Sequence, residues 1–154
     1  MMQLAILYSR AFSGMRALEV TIEVHLANGL PRFLIVGLPE TAIKESKDRV
    51  RSAIINSHFK FPSRHITVNL GPADLPKEGS HFDLPIALGI LNASQQLIAS
   101  TIADYEFVGE LALSGELRPI KSVLPIAIAT KVANRKLILP LANAKEACPS
   151  GEYE

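Results

Sequence analysis

Asp74, Lys77, Glu78, Ser80, His81 and Asp83 crowd into one short stretch of the chain, with Gly79 among them. The stretch lies between a strand-like run, Ile66–Leu70, and an apolar helix expected to begin near Asp83. A helix N-terminus carries N–H groups without partners and a partial positive charge, so this layout suits an anion. It is not an ATP-type phosphate loop: G-x-x-x-x-G-K-[ST] needs lysine directly after the second glycine, whereas Lys77 precedes Gly79. His81 and Asp83, with Glu110 farther along, are metal-ligand types, as are His25 and His65. Ligands two residues apart converge only on a suitably folded loop, and no cysteine or second close histidine joins them, so no metal site is expected. The plain alternative is a tight, well-capped connection, with Asp83 as N-cap and Pro85 in the first turn.

A second set of charges lies upstream. From Pro39 to about Asn56 the pattern is helical, with Ile43, Ser46, Val50, Ala53 and Ile54 on one stripe. The opposite face carries Lys44, Lys47, Arg49 and Arg51, and Lys60 and Arg64 follow its end. The ordinary reading is a solvated surface with acid-before-base pairs (Glu40–Lys44, Glu45–Arg49). A DNA-facing surface is the sharper alternative, weakened by Glu45 and Asp48 among the cations.

The elements that must position these groups are legible in order. Leu4–Tyr8 reads as a first strand and Ser9–Arg16 as a connection. Leu18, Val20, Ile22, Val24 and Leu26 alternate with Glu19, Thr21, Glu23 and His25, the period of a half-buried strand. Asn28–Gly29 signals a turn into a returning strand at Phe33–Val36. The helix from Asp83 to about Gln96 is apolar almost all round and therefore buried on several sides. A strand over Tyr105–Leu113, a turn at Ser114–Gly115, a return at Leu117–Ile120, a helix over Val123–Asn134, a strand at Leu137–Leu139 and a last helical turn within Asn143–Cys148 complete the chain. Strands and helices mix without strict alternation, which predicts one α+β (mixed α/β) domain over residues 1–154.

Composition narrows the partners. The 154 residues are 48% hydrophobic with net charge +1, enough for one real core and too neutral to advertise a nucleic acid or membrane globally. Cys148 is the sole cysteine, which fits a reducing cytoplasm without disulfides. The N-terminus lacks the features of a signal peptide, and no apolar run reaches the length that spans a bilayer. A cytoplasmic location without membrane contact is expected.

Longer motifs carry a resemblance. Pro76–Gly79 before an apolar helix is similar to the P-K-D-G-P-S-A-G segment of Lon-type proteases, Gly109–Ile120 to their G-E-I-T-L-x-G-x-V-x-P-I run, and Leu137–Asn143 to their V-L-I-P-x-x-N ending. Val24–Leu30, Ile35–Ala42, Asp48–Asn56 and Asn69–Gly79 extend it: nearly the whole chain resembles the N-terminal domain of the YifB/ComM family of magnesium chelatase-like AAA+ proteins. The resemblance implies a Lon-protease-like domain of the ribosomal-protein-S5-domain-2-like fold, set ahead of an AAA+ ATPase module, with the chain ending where that module would begin. It implies for the parent a hexameric motor driving DNA branch migration in natural transformation. ATP and Mg2+ are expected in the motor, and no cofactor in this chain. The expected partners are the chain's own AAA+ module, neighbouring subunits and DNA.

On the same motifs, His81 stands where the Lon serine nucleophile belongs and Ile126 where its lysine belongs. A serine nucleophile needs a base to take its proton, and isoleucine cannot accept one. The expectation is a relic loop of Asp74, Lys77, Glu78, Gly79, Ser80, Asp83 and Glu110 without catalysis, with His81 exposed upon it. Ser80 and Lys121 form a displaced alternative pair for a residual peptidase. A pure oligomerisation module without DNA contact is the other alternative.

Overall fold

A computed structural model describes residues 3–148, and its centre is a six-stranded mixed sheet in the order β3 (Arg32–Val36), β4 (His65–Gly71), β2 (Arg16–Ala27), β1 (Gln3–Ser13), β5 (Tyr105–Phe107), β8 (Lys136–Ile138). β1 (Gln3–Ser13) and β2 (Arg16–Ala27) form a long antiparallel hairpin, Gln3 opposite Leu26 and Ser13 opposite Arg16. The first strand thus continues through the segment expected as a connection, and the turn shrinks to Gly14, at φ 65°, and Met15. The alternation in β2 is borne out: Val20, Ile22, Val24 and Leu26 are fully buried.

β3 (Arg32–Val36) is not the return arm of a hairpin with β2. It pairs in parallel with β4 (His65–Gly71), which lies between β3 and β2 and runs antiparallel to β2. The reason is the intervening helix α1 (Glu40–Asn56): a strand, a crossover helix and a second strand deliver parallel neighbours, whereas the turn signal at Asn28–Gly29 marks only a change of direction. Gly37 opens the crossover at φ 106°, where an added Cβ would lie 2.4 Å from the Leu70 carbonyl oxygen.

α2 (Asp83–Ala93) is buried along nearly its whole length against the inner face of the sheet. Gly89 permits the approach: a Cβ there would sit 2.6 Å from Val24 Cγ2. Leu7, Ile22, Val24, Leu70, Ile86 and Ile90 form the centre of this core. β5 (Tyr105–Phe107) is parallel to β1 and to β8 (Lys136–Ile138). It stops short of the strand expected to Leu113, because the chain leaves the sheet at Gly109. Gly109 N–H donates to the His81 carbonyl and its own carbonyl accepts from Leu84 N–H, and β6 (Glu110–Leu111) then pairs with β7 (Leu117–Arg118) as a separate hairpin. α3 (Val123–Val132) closes a smaller core of Ala17, Val108, Val123 and Ile126, and α4 (Ala144–Ala147) follows. The architecture is α+β, as the mixture of elements predicts. No described helix is long and apolar enough to cross a membrane.

Candidate functional site

The loop between β4 and α2 is folded around its own lysine. Lys77 is 3% exposed, and its ammonium donates to the carbonyls of Pro72 and Leu75, each at 2.6 Å. Burial pushes its pKa down, while Asp74 pulls the other way. An ammonium satisfied by carbonyls inside its own turn is a brace, and it does not reach the cavity beyond.

That cavity, of about 390 Å³, lies where the loop meets the β6–β7 hairpin. Glu78, Gly79, Ser80 and His81 line one side, with Phe12, Glu110 and Lys121 among the others. Ser80 Oγ donates to Glu110 Oε1, so its hydroxyl is paired with a carboxylate. His81 is not the exposed residue expected of the loop. It is 5% exposed, and its Nε2–H donates to the Arg10 carbonyl at 2.7 Å. Its ring lies 4.1 Å from that of Phe82. Burial lowers its pKa and the bond to Arg10 raises it less, so the imidazole is neutral at pH 7. The strand extension that sequence periodicity missed, Ser9–Ser13, is what brings the Arg10 carbonyl to this ring.

Asp83 is the first residue of α2, with Phe82 in the N-cap position, and the helix start has no side-chain cap. The expected N-cap is therefore corrected: the Asp83 carboxylate turns across to α1 and β6 instead. Ser46 Oγ donates to it at 2.8 Å, Arg49 Nε at 2.6 Å and Nη2 at 3.2 Å, and Leu111 N–H at 3.1 Å. Burial pushes the carboxyl up, and Arg49, Ser46 and Leu111 pull it back. The bond to Asp83 in turn holds Arg49 above its usual value. Arg49 is thus committed to the interior and leaves the outward cationic face on which the sequence pattern puts it.

Ile126, where the resemblance places the lysine, is fully buried in the small core with Val108 and Val123. Lys121 is exposed on the rim of the cavity. Among the described residues no cluster of three or more metal-ligating side chains comes together. Asp83 and His81 are occupied as described, and Glu110 takes Ser80 and lies 3.9 Å from Arg118. His25 and His65 sit on β2 and β4, away from the loop.

The remaining cations lie along another side of α1 and beyond its C-terminal end. Lys44, Lys47 and Arg51 line one hollow with Glu40 and Asp48. Arg51 lies over the Phe61 ring at 5.1 Å and Lys47 over Phe33 at 5.8 Å. Arg64 Nη1 donates to Gln3 Oε1 and Nη2 to Asn28 Oδ1. The Lys60 backbone is clamped by the Gln96 amide through bonds of 2.9 and 2.8 Å.

One polar constellation escaped sequence reasoning. Glu106, fully buried on β5, receives Arg10 Nε at 2.7 Å and Nη2 at 2.8 Å, Thr130 Oγ1 at 2.9 Å and Arg135 Nη1 at 3.2 Å. Burial alone would raise its pKa, but these donors outweigh it and hold the carboxyl below its usual value. Arg10 and Glu106 are the single charges of β1 and β5, a signal hidden in the sequence because Ser9–Arg16 reads as a connection and the run from Tyr105 continues through Glu110.

Comparison with known proteins supplies the context for this geometry. Residues 22–143 match the family model described as subunit ChlI of Mg-chelatase. The competence protein ComM of Haemophilus influenzae is 59% identical over 146 residues, 95% of this chain and 29% of that protein. Proteins named YifB from Salmonella typhimurium and Escherichia coli are 54% and 50% identical over 145 residues, again 94% of this chain and 29% of each. The chain thus spans under a third of the length of these curated relatives.

Proposed function

Given that the chain belongs to the magnesium chelatase-like family of ComM and YifB, we propose that it is a non-catalytic accessory domain of an AAA+ ATPase. The parent in this reading is a hexameric motor that moves branched DNA in transformation, holding ATP and Mg2+ in a module outside this chain. The observation that carries the non-catalytic part is the state of the two relic positions. His81, in the nucleophile's place, is a neutral buried ring bonded to a backbone carbonyl. Ile126, in the base's place, is packed in the core with no atom able to take a proton. Ser80 and Lys121 border one cavity, which keeps a residual peptidase as the rival reading, yet the Ser80 hydroxyl is engaged by Glu110. The chain has no phosphate loop of its own, so ATP turnover belongs elsewhere in the parent.

Removing residues 3–148 from the full-length parent tests the accessory role. The expected result is retained ATPase activity with reduced DNA branch migration and an intact hexamer. Loss of the hexamer together with both activities would transfer the role to oligomerisation. Unchanged branch migration would remove the accessory role altogether.

A further inference from the structure

At the start of β3 and β4, beside the C-terminal half of α1, Arg32, Arg51 and Arg64 line a single cavity of about 260 Å³ with Ser63, Phe33 and Phe61. No carboxylate lines it. Among the described residues none of the three arginines has an ion pair: the carboxylate-bound arginines are Arg10, Arg49, Arg118 and Arg135. Arg64 directs two nitrogens to neutral amide oxygens, and its Nε is buried with no partner. Like charges around a concave surface repel one another and raise the local concentration of anions. Guanidinium groups match the geometry of phosphate oxygens.

We propose that this three-arginine pocket is a phosphodiester-binding site, the anchor by which the domain holds a nucleic-acid backbone. The proposal deepens the accessory-domain reading and rests on its DNA-processing part. The polymer is favoured over a small anion because Arg51 also lines the neighbouring hollow with Lys44 and Lys47, so the cationic track continues past one phosphate. That hollow also carries Glu40 and Asp48, which makes the carboxylate-free pocket the stronger contact. Recognition is of backbone and not of bases. Phe33 is 4% exposed and Phe61 is covered by Arg51, so neither ring offers a free face for stacking. The site is preorganised: Phe61 stands 5.3 Å from Phe33, and Gln96 clamps the loop at Lys60. Arg32 is a participant that no helical periodicity could reveal, since it joins the pocket from the start of a different element.

The test measures affinity of the chain for a fluorescein-labelled DNA duplex against salt concentration. Wild type is compared with Arg32→Gln, Arg51→Gln and Arg64→Gln singly and together, and with Lys131→Gln, at an exposed position of α3, as the charge control. Each arginine neutralised should reduce the slope of log K against log salt by about 0.9, equally for every duplex sequence, with no change for Lys131→Gln. Arg32 makes no side-chain hydrogen bond among the described residues, so Arg32→Gln carries the test if Arg64→Gln fails to fold. Arg64→Lys, which keeps the charge, should keep the slope. Equal slopes for wild type and the arginine variants, with binding preserved, would overturn the pocket while leaving the DNA-processing reading in place. Binding that follows duplex sequence would overturn backbone recognition. Inorganic phosphate at matched ionic strength is the second probe: a melting shift with phosphate but no duplex binding would assign the pocket to a free anion and overturn the proposal. No binding of either probe by wild type would overturn the proposal and remove this domain from the DNA path.

Discussion

At the scale of single residues, the difference between capping a helix and joining three elements has a measurable size. An N-cap carboxylate replaced by alanine costs about 1 kcal/mol. Asp83 instead neutralises Arg49, whose side chain is 21% exposed, and binds Ser46 and the backbone of β6. Asp83→Ala leaves that guanidinium only its 3.7 Å pair with exposed Glu45 and takes the acceptor from the Ser46 hydroxyl and the Leu111 N–H, and the loss should be about 3 kcal/mol in urea unfolding. A loss near 1 kcal/mol would return Asp83 to simple capping. On an exposed loop His81→Ala would be mild. Here it removes a buried ring and leaves the Arg10 carbonyl unpaired, so it too should destabilise by about 2 kcal/mol or more, read by the same unfolding curve. Residue types at this site are legible in the sequence, because a helix start following a charged loop is a local pattern. Partners are not, since Arg10 and Asp83's ligands Ser46 and Arg49 come from elements far away in the chain.

Among elements, the long periodic ones are readable and the pairings are not. The alternation of β2, the stripe of α1 and the apolar surface of α2 follow from burial, which writes a period into the sequence. The parallel placement of β3 beside β4 depends on α1 crossing over, and strand residues carry no record of their neighbour. β5 ends early because Gly109 bonds to the His81 and Leu84 backbone, a tertiary event without periodic signature. Gly89 on α2 shows the same competition between local and tertiary effects. Alanine would improve helix propensity by about 1 kcal/mol, yet its Cβ would press on Val24 Cγ2, and overpacking costs about 1–3 kcal/mol. Gly89→Ala should therefore lower stability on balance. A stabilised variant would mean that β2 and α2 have room to separate.

For the molecule as a whole, the buried charges set how stability depends on pH. Glu106 has a depressed pKa, so its contribution is present above the unfolded value of 4.5 and is lost as pH falls through the folded one. His81 acts in a different window: its folded pKa lies below 6.5, the unfolded chain takes up the proton first, and stability declines as pH falls beneath 6.5. Asp83, pushed up by burial, adds nothing to this acid loss. Unfolding free energy should thus drop in two stages on acidification. In Glu106→Gln the stage below 4.5 should flatten, and stability at pH 7 should fall by about 3 kcal/mol because Arg10 is left buried without its counter-charge. An unchanged acid limb would place the proton uptake elsewhere.

We propose above all that this chain, whose motifs resemble those of a serine-lysine peptidase, has no working nucleophile. The two positions where the resemblance places the dyad are engaged in the fold, His81 by the Arg10 carbonyl and Ile126 by the core, and Ser80 donates to Glu110. The direct measurement is intact-mass spectrometry of the folded chain after exposure to a fluorophosphonate probe, beside Ser80→Ala and Lys121→Ala. All three proteins should keep an unmodified mass. Stoichiometric labelling of the wild type, mapped to Ser80 and abolished by Lys121→Ala, would contradict it and establish a displaced serine-lysine pair.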